Sequence, residues 1–329
     1  MRQLLWLIGV LALLTGINVV LPRLINPYIA QIIVLCGINI ILAVSLNLIN
    51  GFTGQFSIGH AGFMALGAYG SAMFTLHVGV RWVAGFTAAG VPAPLAQGMA
   101  LLVALVLGGL LAALAGYLVG LPSLRLRGDY LAIVTLGFGE IIRVLILNVD
   151  AVGGARGLPG IPGWVDFFWV GVGVAAVILL SRHLALSTHG RALFAIRDDE
   201  VAAEALGVDT TSYKVLAFVM GAFFAGVAGG LFAHFLSYLN PNSFTFIKSI
   251  EVIAMVVLGG MGSISGSVLA AVILTLMPEV LRPVKDYRMV IYSLMLIILM
   301  ITRPGGLLGS REISLAGLLK RFRPARESV

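Results

Sequence analysis

Few side chains in this sequence are spaced for catalysis. The five histidines are scattered along the chain, and Cys36 is the only cysteine. Zinc sites need closely spaced ligands, and acyl-transfer enzymes carry a short glycine-flanked nucleophile motif. Neither pattern occurs, and the phosphate-binding motif G-x-x-x-x-G-K-[ST] is missing as well. The sequence therefore predicts no catalytic residue, no metal ligand and no cofactor in this chain.

Two glycine-rich segments are better placed for binding. They run from Gly51 to Gly62 and from Gly259 to Gly266. Glycine at this density weakens a helix, and transporters use paired helix breaks whose free backbone groups bind substrate. We predict a translocation path or helix breaks here; an ordinary loop or close helix packing is the alternative. The candidate residues are Gly51, Gly54, Ser57, Gly59, His60, Gly62, Gly259, Gly260, Gly262 and Ser263.

Charged residues also fall inside apolar segments. Glu140 and Arg143 are three residues apart, so on a helix they share one face and can pair. A charge in the bilayer is costly and should face the bundle interior. The pair either lines a pore or gate, or it locks helices together, and we favour the second role. The same spacing recurs at Lys248/Glu251 and Glu279/Arg282.

The longest polar insertion, residues 183–213, contains a helix-like sequence. Asp198 suits an N-cap, and the carboxylates after it suit a first helical turn. Gly207 suits the end of the helix. The pattern predicts a short helix that docks against a partner; a solvated connector is the alternative. The residues concerned are Arg197, Asp198, Asp199, Glu200, Ala203, Glu204, Ala205, Leu206 and Gly207.

The composition indicates which elements must position these residues. Of 329 residues, 60% are hydrophobic and 11% are charged, and the mean hydropathy is +1.06. A soluble domain is about half apolar and a quarter charged, so lipid must solvate this chain. Segments of about 20 apolar residues cross a bilayer as helices. Ten candidates follow: 4–21, 28–49, 61–79, 97–119, 131–149, 166–182, 214–236, 249–261, 264–281 and 288–302.

The distribution of basic residues predicts the topology. Most of the 21 Lys and Arg residues fall on one side if both termini are cytoplasmic. The formal charge of +7 thus follows from membrane loops, and no nucleic-acid binding is expected. The first apolar segment has no small-x-small cleavage site and is read as a retained helix.

Together these features predict an all-α fold, a polytopic transmembrane helical bundle. We expect about ten segments (roughly eight to ten), some broken or re-entrant, because segments 249–261 and 288–302 are short. Residues 1–310 would form the membrane domain, and 311–329 a basic cytoplasmic tail.

Six stretches in this order resemble one family. The chain is similar to the M-type permease subunits of ABC importers for branched-chain amino acids (LIV-type). The stretches are 47–54 (NLINGFTG), 57–63 (SIGHAGF), 124–140 (LRLRGDYLAIVTLGFGE), 190–207 (GRALFAIRDDEVAAEALG), 259–266 (GGMGSISG) and 303–309 (RPGGLLG).

The resemblance implies a transport subunit that is not itself an enzyme. Its implied partners are a second homologous permease, two ATP-binding cassette subunits that hold ATP and Mg, and a periplasmic substrate-binding protein. Residues 197–207 match the family's coupling segment, which contacts the ATPase, and the implied location is the bacterial inner membrane. The implied substrates are leucine, isoleucine and valine. Two alternatives stay open: a permease of the same family for urea or short amides, and a stand-alone proton-coupled secondary transporter that uses Glu140.

Overall fold

The computed structural model describes residues 9, 14–18, 25–123, 129–284, 287–303, 305–309 and 312. The predicted span 4–21 and the tail 311–329 lie largely outside these residues. The described chain is a helical bundle with a single pair of two-residue strands, so the predicted all-α class is confirmed in its coarse form.

Twelve helices form the described bundle. They are α1 (Pro27–Asn50), α2 (His60–Phe74), α3 (Val80–Ala88), α4 (Ala93–Ser123), α5 (Asp129–Asn148), α6 (Phe167–Leu186), α7 (Thr188–Asp198), α8 (Glu200–Ala205), α9 (Thr210–Leu236), α10 (Phe246–Gly259), α11 (Ile264–Val280) and α12 (Arg288–Thr302). The strands are β1 (Leu158–Pro159) and β2 (Tyr238–Leu239).

Six of these helical stretches are long and apolar enough to cross a membrane, counting only the described residues. They match six predicted spans, although the stretch predicted as 61–79 continues to Ala88 through a π turn at Thr75–Gly79. Helix α11 is a shorter apolar helix, and α10 has only 14 residues, as expected for a half-helix. The stretches are Pro27–Asn50, His60–Ala88, Ala93–Pro122, Tyr130–Asn148, Phe167–Leu186 and Thr210–Leu236.

Helix α9 is the centre of the bundle, and it packs against α1, α2 and α4. Small residues make this close approach possible. A Cβ on Gly226 would overlap α4 at Ala112, and a Cβ on Gly229 would overlap the backbone of α2 at Met64. Glycines therefore let α9 pack closely against both α4 and α2. Large apolar residues such as Leu110 on α4 face outward, where lipid would lie.

The bundle has two distinct ends. At one end Tyr28, next to the start of α1, donates a hydrogen bond to Glu279 near the end of α11. Strands β1 and β2 pair antiparallel, with Leu158 opposite Leu239, and join the 149–166 loop to the chain after α9. The other end holds the last turns of α1 and α10 together with α7 and α8, and it carries the candidate site.

Candidate functional site

The first glycine segment breaks the chain between α1 and α2. Helix α1 ends at Asn50, Gly54 has a positive φ of 70°, and α2 begins at His60. The segment folds back along α1, since His60 Nε2 lies 2.8 Å from Ser45 Oγ, and Ser45 is five residues before the end of α1. At a rise of 1.5 Å per residue, this return covers about 7 Å. Residues 51–59 therefore interrupt the helical path between α1 and α2, and their role as a break in a translocation path stays a prediction.

The second glycine segment turns the chain between α10 and α11. Gly260 and Gly262 have φ values of 105° and 91°, a region that favours glycine. Ser263 caps α11, because its hydroxyl accepts a hydrogen bond from Gly266 N at 3.1 Å. The turn is tight, and both φ values require residues without a Cβ.

The two breaks touch each other. Asn47 Oδ1, in the last turn of α1, accepts a hydrogen bond of 2.8 Å from Gly262 N. A Cβ on Gly51 would overlap both Asn47 Oδ1 and Gly262 N, so only glycine fits there. The sequence predicted two breaks, and the structure brings them to one point.

Arg197 joins the polar insertion to this point. Its guanidinium donates to the Gly51 carbonyl at 3.3 Å and packs over the Phe194 ring, 5.1 Å from the ring centroid. Gly54 is also close, because a Cβ there would stand 3.1 Å from Arg197 Cγ. Arg197 also pairs with Asp198 at 2.9 Å. Arg197 and Phe194 of the insertion therefore both contact the segment between α1 and α2, Phe194 through Phe52 with 4.9 Å between ring centroids.

Residues 305–309 contact the same part of the bundle. The Leu307 N–H donates a hydrogen bond of 2.7 Å to the carbonyl of Leu258, which lies in the last turn of α10. Glu312 accepts from Ile264 N at 2.5 Å and from Ser265 Oγ at 2.9 Å, so a carboxylate sits at the N-terminus of α11. We call residues 47–54, Arg197, 258–263 and 305–309 the glycine junction.

Polar side chains line the segment that leads from the junction into α2. Ser57 N donates to Asn50 Oδ1 at 3.2 Å, and Ala61 N donates to Ser249 Oγ at 3.0 Å. Ser57 and His60 are completely buried. Ser57 Oγ, His60 Nδ1 and Asn50 Nδ2 have no hydrogen-bond partner among the described residues. These groups can bind water or a polar solute.

Glycines pack the start of α2 against α5. A Cβ on Gly59 would overlap the Thr135 carbonyl, and a Cβ on Gly62 would stand 2.7 Å from Gly139 Cα. The alternative reading of these two glycines as close packing is thus correct for their local role. Whether they also line a path stays a prediction.

Two of the predicted charge pairs are formed as ion pairs. Arg143 Nε donates to Glu140 Oε2 at 2.8 Å, and both side chains are partly buried. Lys248 and Glu251 pair at 3.2 Å. Glu140 also lines a cavity of about 10 Å³ beside the start of α2, together with Ile58, Ala61, Gly62, Leu136, Gly139, Phe244, Thr245, Phe246 and Ser249. The Glu140/Arg143 pair is therefore formed and adjoins the first break.

The insertion contains two helices, and the N-cap assigned from sequence is wrong by one residue. Helix α7 continues to Asp198, so Asp199 becomes the N-cap of α8, and its carboxylate accepts from Val201 N at 2.9 Å and Ala202 N at 3.0 Å. The predicted short helix is otherwise present, and Gly207 follows it with a φ of 84°. Residues 205–207 are exposed.

Helix α8 presents an apolar surface while its other face is fastened to the bundle. Val201 is 63% exposed and Leu206 is 85% exposed, whereas Ala203 is buried. Glu200 pairs with Lys214 of α9 at 2.6 Å, and Glu204 accepts from Thr210 Oγ1 at 2.8 Å. Val201 and Leu206 are therefore open to contact with another molecule.

Asp209 ends this insertion and caps α9. Ser212 Oγ donates to Asp209 Oδ2 at 2.6 Å, and Ser212 N donates to Oδ1 at 3.2 Å. These hydrogen bonds, the side-chain bond first, lower the pKa of Asp209 from its ordinary value. The carboxylate thus stays charged at the N-terminus of the central helix, where the helix dipole stabilises it.

Sequence reasoning missed two residues of the site. In the sequence, Asn47 stands out only as part of the stretch 47–54, and Lys214 is the first residue of the predicted span 214–236. Both are polar residues that the structure buries, and a polar residue in an apolar helix is the signal that could have found them. Within the described ranges, no group of three or more His, Cys, Asp or Glu side chains is arranged to hold a metal ion.

The arrangement defines a class of protein: a polytopic membrane protein with interrupted helices and a short helix held against one end of the bundle. The chain belongs to the family described as branched-chain amino acid transport system / permease component, whose profile matches residues 28–301. No solved structure matches the chain.

Several curated relatives cover most of the chain. It is 37% identical to the high-affinity branched-chain amino acid transport system permease protein LivM of Escherichia coli, over 93% of this chain and 75% of that protein. It is 25% identical to the probable branched-chain amino acid transport permease protein LivM of Methanocaldococcus jannaschii, over 89% and 97%. A partial match is LivH of Escherichia coli, 33% identical over 44% of this chain and 47% of that protein.

Proposed function

We propose that this chain is a transmembrane permease subunit of an ABC importer for leucine, isoleucine and valine, with ATP hydrolysed in partner subunits. The observation that carries the proposal is the family match over residues 28–301. The geometry agrees with it, because the segment that resembles the family's coupling region is a held helix with exposed Val201 and Leu206.

The proposed assembly has several components. A second permease would complete the substrate path, and the partial likeness to LivH is consistent with two related permeases in such systems. Two ATP-binding cassette subunits would hold ATP and Mg, and a periplasmic binding protein would deliver the substrate. The chain itself would span the bacterial inner membrane about ten times, with both termini cytoplasmic.

The arrangement of helix ends supports this topology. The junction gathers the ends of α1 and α10, the start of α11 and the segment after α12. The start of α1 and the end of α11 meet at the opposite end, through Tyr28 and Glu279. If the junction and α8 face the cytosol, consecutive helices cross the membrane in alternating directions. Helix α10 then crosses only part of the membrane thickness before it ends at the junction.

The proposed mechanism starts at α8. Closure of the ATPase subunits would displace α8 and α7, and Arg197 would carry this displacement to the Gly51 carbonyl. The contact between Asn47 and Gly262 would then open, so that the two breaks separate and expose a path toward the cytosol. The two states must differ in these contacts, because differential contacts supply the coupling energy.

Docking can be tested with matched valine substitutions. Val201→Ser removes an apolar side chain that is 63% exposed on α8, and Val280→Ser removes one that is 69% exposed at the opposite end of the bundle. We expect Val201→Ser with Leu206→Ser to weaken binding of the ATPase subunits at least tenfold, measured with the purified proteins, and Val280→Ser to leave binding unchanged. Equal binding by both variants would refute docking through α8.

Substrate and energy source need reconstitution with partner subunits in liposomes. Leucine, valine, urea and acetamide would be supplied in parallel, with ATP or with a pH gradient. We expect uptake of leucine and valine that requires ATP. Uptake of urea or acetamide alone would reassign the substrate, and uptake that follows the pH gradient and is lost in Glu140→Gln would favour the secondary transporter.

A further inference from the structure

Helix α8 is attached to the bundle by its own side chains, separately from the contact that Arg197 of α7 makes with Gly51. We infer that the Glu200–Lys214 ion pair, assisted by the Glu204–Thr210 hydrogen bond, is the link through which α8 moves the central helix α9. The inference rests on the proposed function, since it assumes that α8 receives the movement of an ATPase. Glu200 and Lys214 would be positioning residues that act through α9.

Both contacts join α8 to the first turns of α9. Glu200 Oε1 lies 2.6 Å from Lys214 Nζ, and Thr210 Oγ1 donates to Glu204 Oε1 at 2.8 Å. Glu200 and Glu204 are one turn apart on α8, and Thr210 and Lys214 are one turn apart on α9. The two contacts therefore form two rungs between the helices, which resist rotation as well as separation.

The ion pair is not an ordinary surface pair. Lys214 is only 5% exposed, while the side chain of Glu200 is 28% exposed. Exposed ion pairs contribute little because water screens them, whereas a buried lysine needs its partner. Glu200 is thus held in one place by a buried charge, as a mechanical link requires.

Helix α9 leads from this link directly to the first break. Gly221 lies two turns beyond Lys214, and a Cβ there would overlap Ile49 and the Ser45 carbonyl of α1. Ser45 in turn contacts His60 at the start of α2. A displacement of α9 would therefore reach both sides of the break, by a route that does not pass through Arg197.

The test compares uptake per ATP hydrolysed in the reconstituted importer. Lys214→Met removes the buried charge at nearly the same volume, and the charge that loses its partner is that of Glu200, whose side chain is 28% exposed to solvent. We expect the ATPase to bind with unchanged affinity and to hydrolyse ATP, while uptake per ATP falls at least tenfold. Lys214→Arg keeps a cation for Glu200 and should restore most of the coupling.

Glu251→Gln is the matched control, because the Lys248–Glu251 pair lies within α10, and Lys248 keeps its hydrogen bond to Asn39 of α1 when Glu251 is changed; it should leave coupling unchanged. If Lys214→Met fails to fold, Thr210→Val tests the inference in its place. This variant removes the hydrogen bond to Glu204 without a change of side-chain shape, and it should lower uptake per ATP severalfold. Normal coupling in either folded variant would overturn the inference. A wild-type protein without ATP-dependent uptake would instead refute the proposed function.

Discussion

Gly51 offers the sharpest test of the glycine junction. Its backbone is in the right-handed helical region, at φ −88° and ψ −38°, so alanine is conformationally allowed. The objection to alanine is purely steric, because the new Cβ would overlap Asn47 Oδ1 and Gly262 N. Gly51→Ala should therefore force the two breaks apart.

The loss of stability in Gly51→Ala can be worked out from the contacts that the new Cβ would displace. Overpacking a close contact costs about 1–3 kcal/mol, and a donor that loses its acceptor, here the partly buried Gly262 N, costs at most about 1–3 kcal/mol more. The better helix propensity of alanine returns at most about 1 kcal/mol. We expect Gly51→Ala to lower the free energy of unfolding by roughly 1–5 kcal/mol.

Unfolding in mixed detergent micelles, followed by tryptophan fluorescence, would measure this change. Gly137→Ala is the control, since a Cβ on this α5 glycine would meet no atom within 4 Å. Asn47→Ala combined with Gly51→Ala should cost less than the sum of the single changes, because both remove the same hydrogen bond. If Gly51→Ala is as stable as Gly137→Ala, the contact between the breaks does not exist as described.

Three further outcomes test other parts of the structure. Gly67→Ala should reduce the yield of folded protein in size-exclusion chromatography, because its Cβ would overlap the backbone of α9, whereas Gly85→Ala, with nothing within 4 Å, should not. Glu312→Gln should cost about 0.5–1 kcal/mol in the same unfolding assay by weakening the charge at the α11 N-terminus. Hydrogen bonds from Ser212 lower the pKa of Asp209 in the folded protein. The ionised Asp209 therefore stabilises the folded state at any pH above the pKa that it has in the unfolded chain, and this stabilisation is lost as the pH falls through the lower pKa of the folded state. Asp209→Asn should remove this part of the acid sensitivity in thermal unfolding; an unchanged profile would contradict it.

The sequence was sufficient for features that depend on local composition. Apolar length predicted the six long stretches, and the short segment predicted at 249–261 corresponds to α10, which has only 14 residues. The Glu140/Arg143 pair followed from spacing alone, because residues three apart meet on any helix. The capping residue of α8 was misassigned because α7 continues to Asp198, and a cap pattern carries no information about the helix before it.

Contacts between distant residues could not be predicted in this way. Asn47 and Gly262 are far apart in the chain, and nothing in either motif specifies the other as its partner. Lys214 resembles any basic residue at a membrane boundary until the fold buries it beside Glu200. The same holds for the π turn at Thr75–Gly79, whose buried Thr75 lies 2.8 Å from His234 Nε2.

The attachment of residues 305–309 to the end of α10 has a consequence for biosynthesis. Leu307 N supplies a hydrogen bond to the Leu258 carbonyl, and a ribosome produces this segment after every helix of the described bundle. Nascent chains that already hold all twelve helices still lack a component of the junction. The junction therefore matures only after residues 305–309 have been made, and a chain cut off after Thr302 would insert its helices with that junction incomplete.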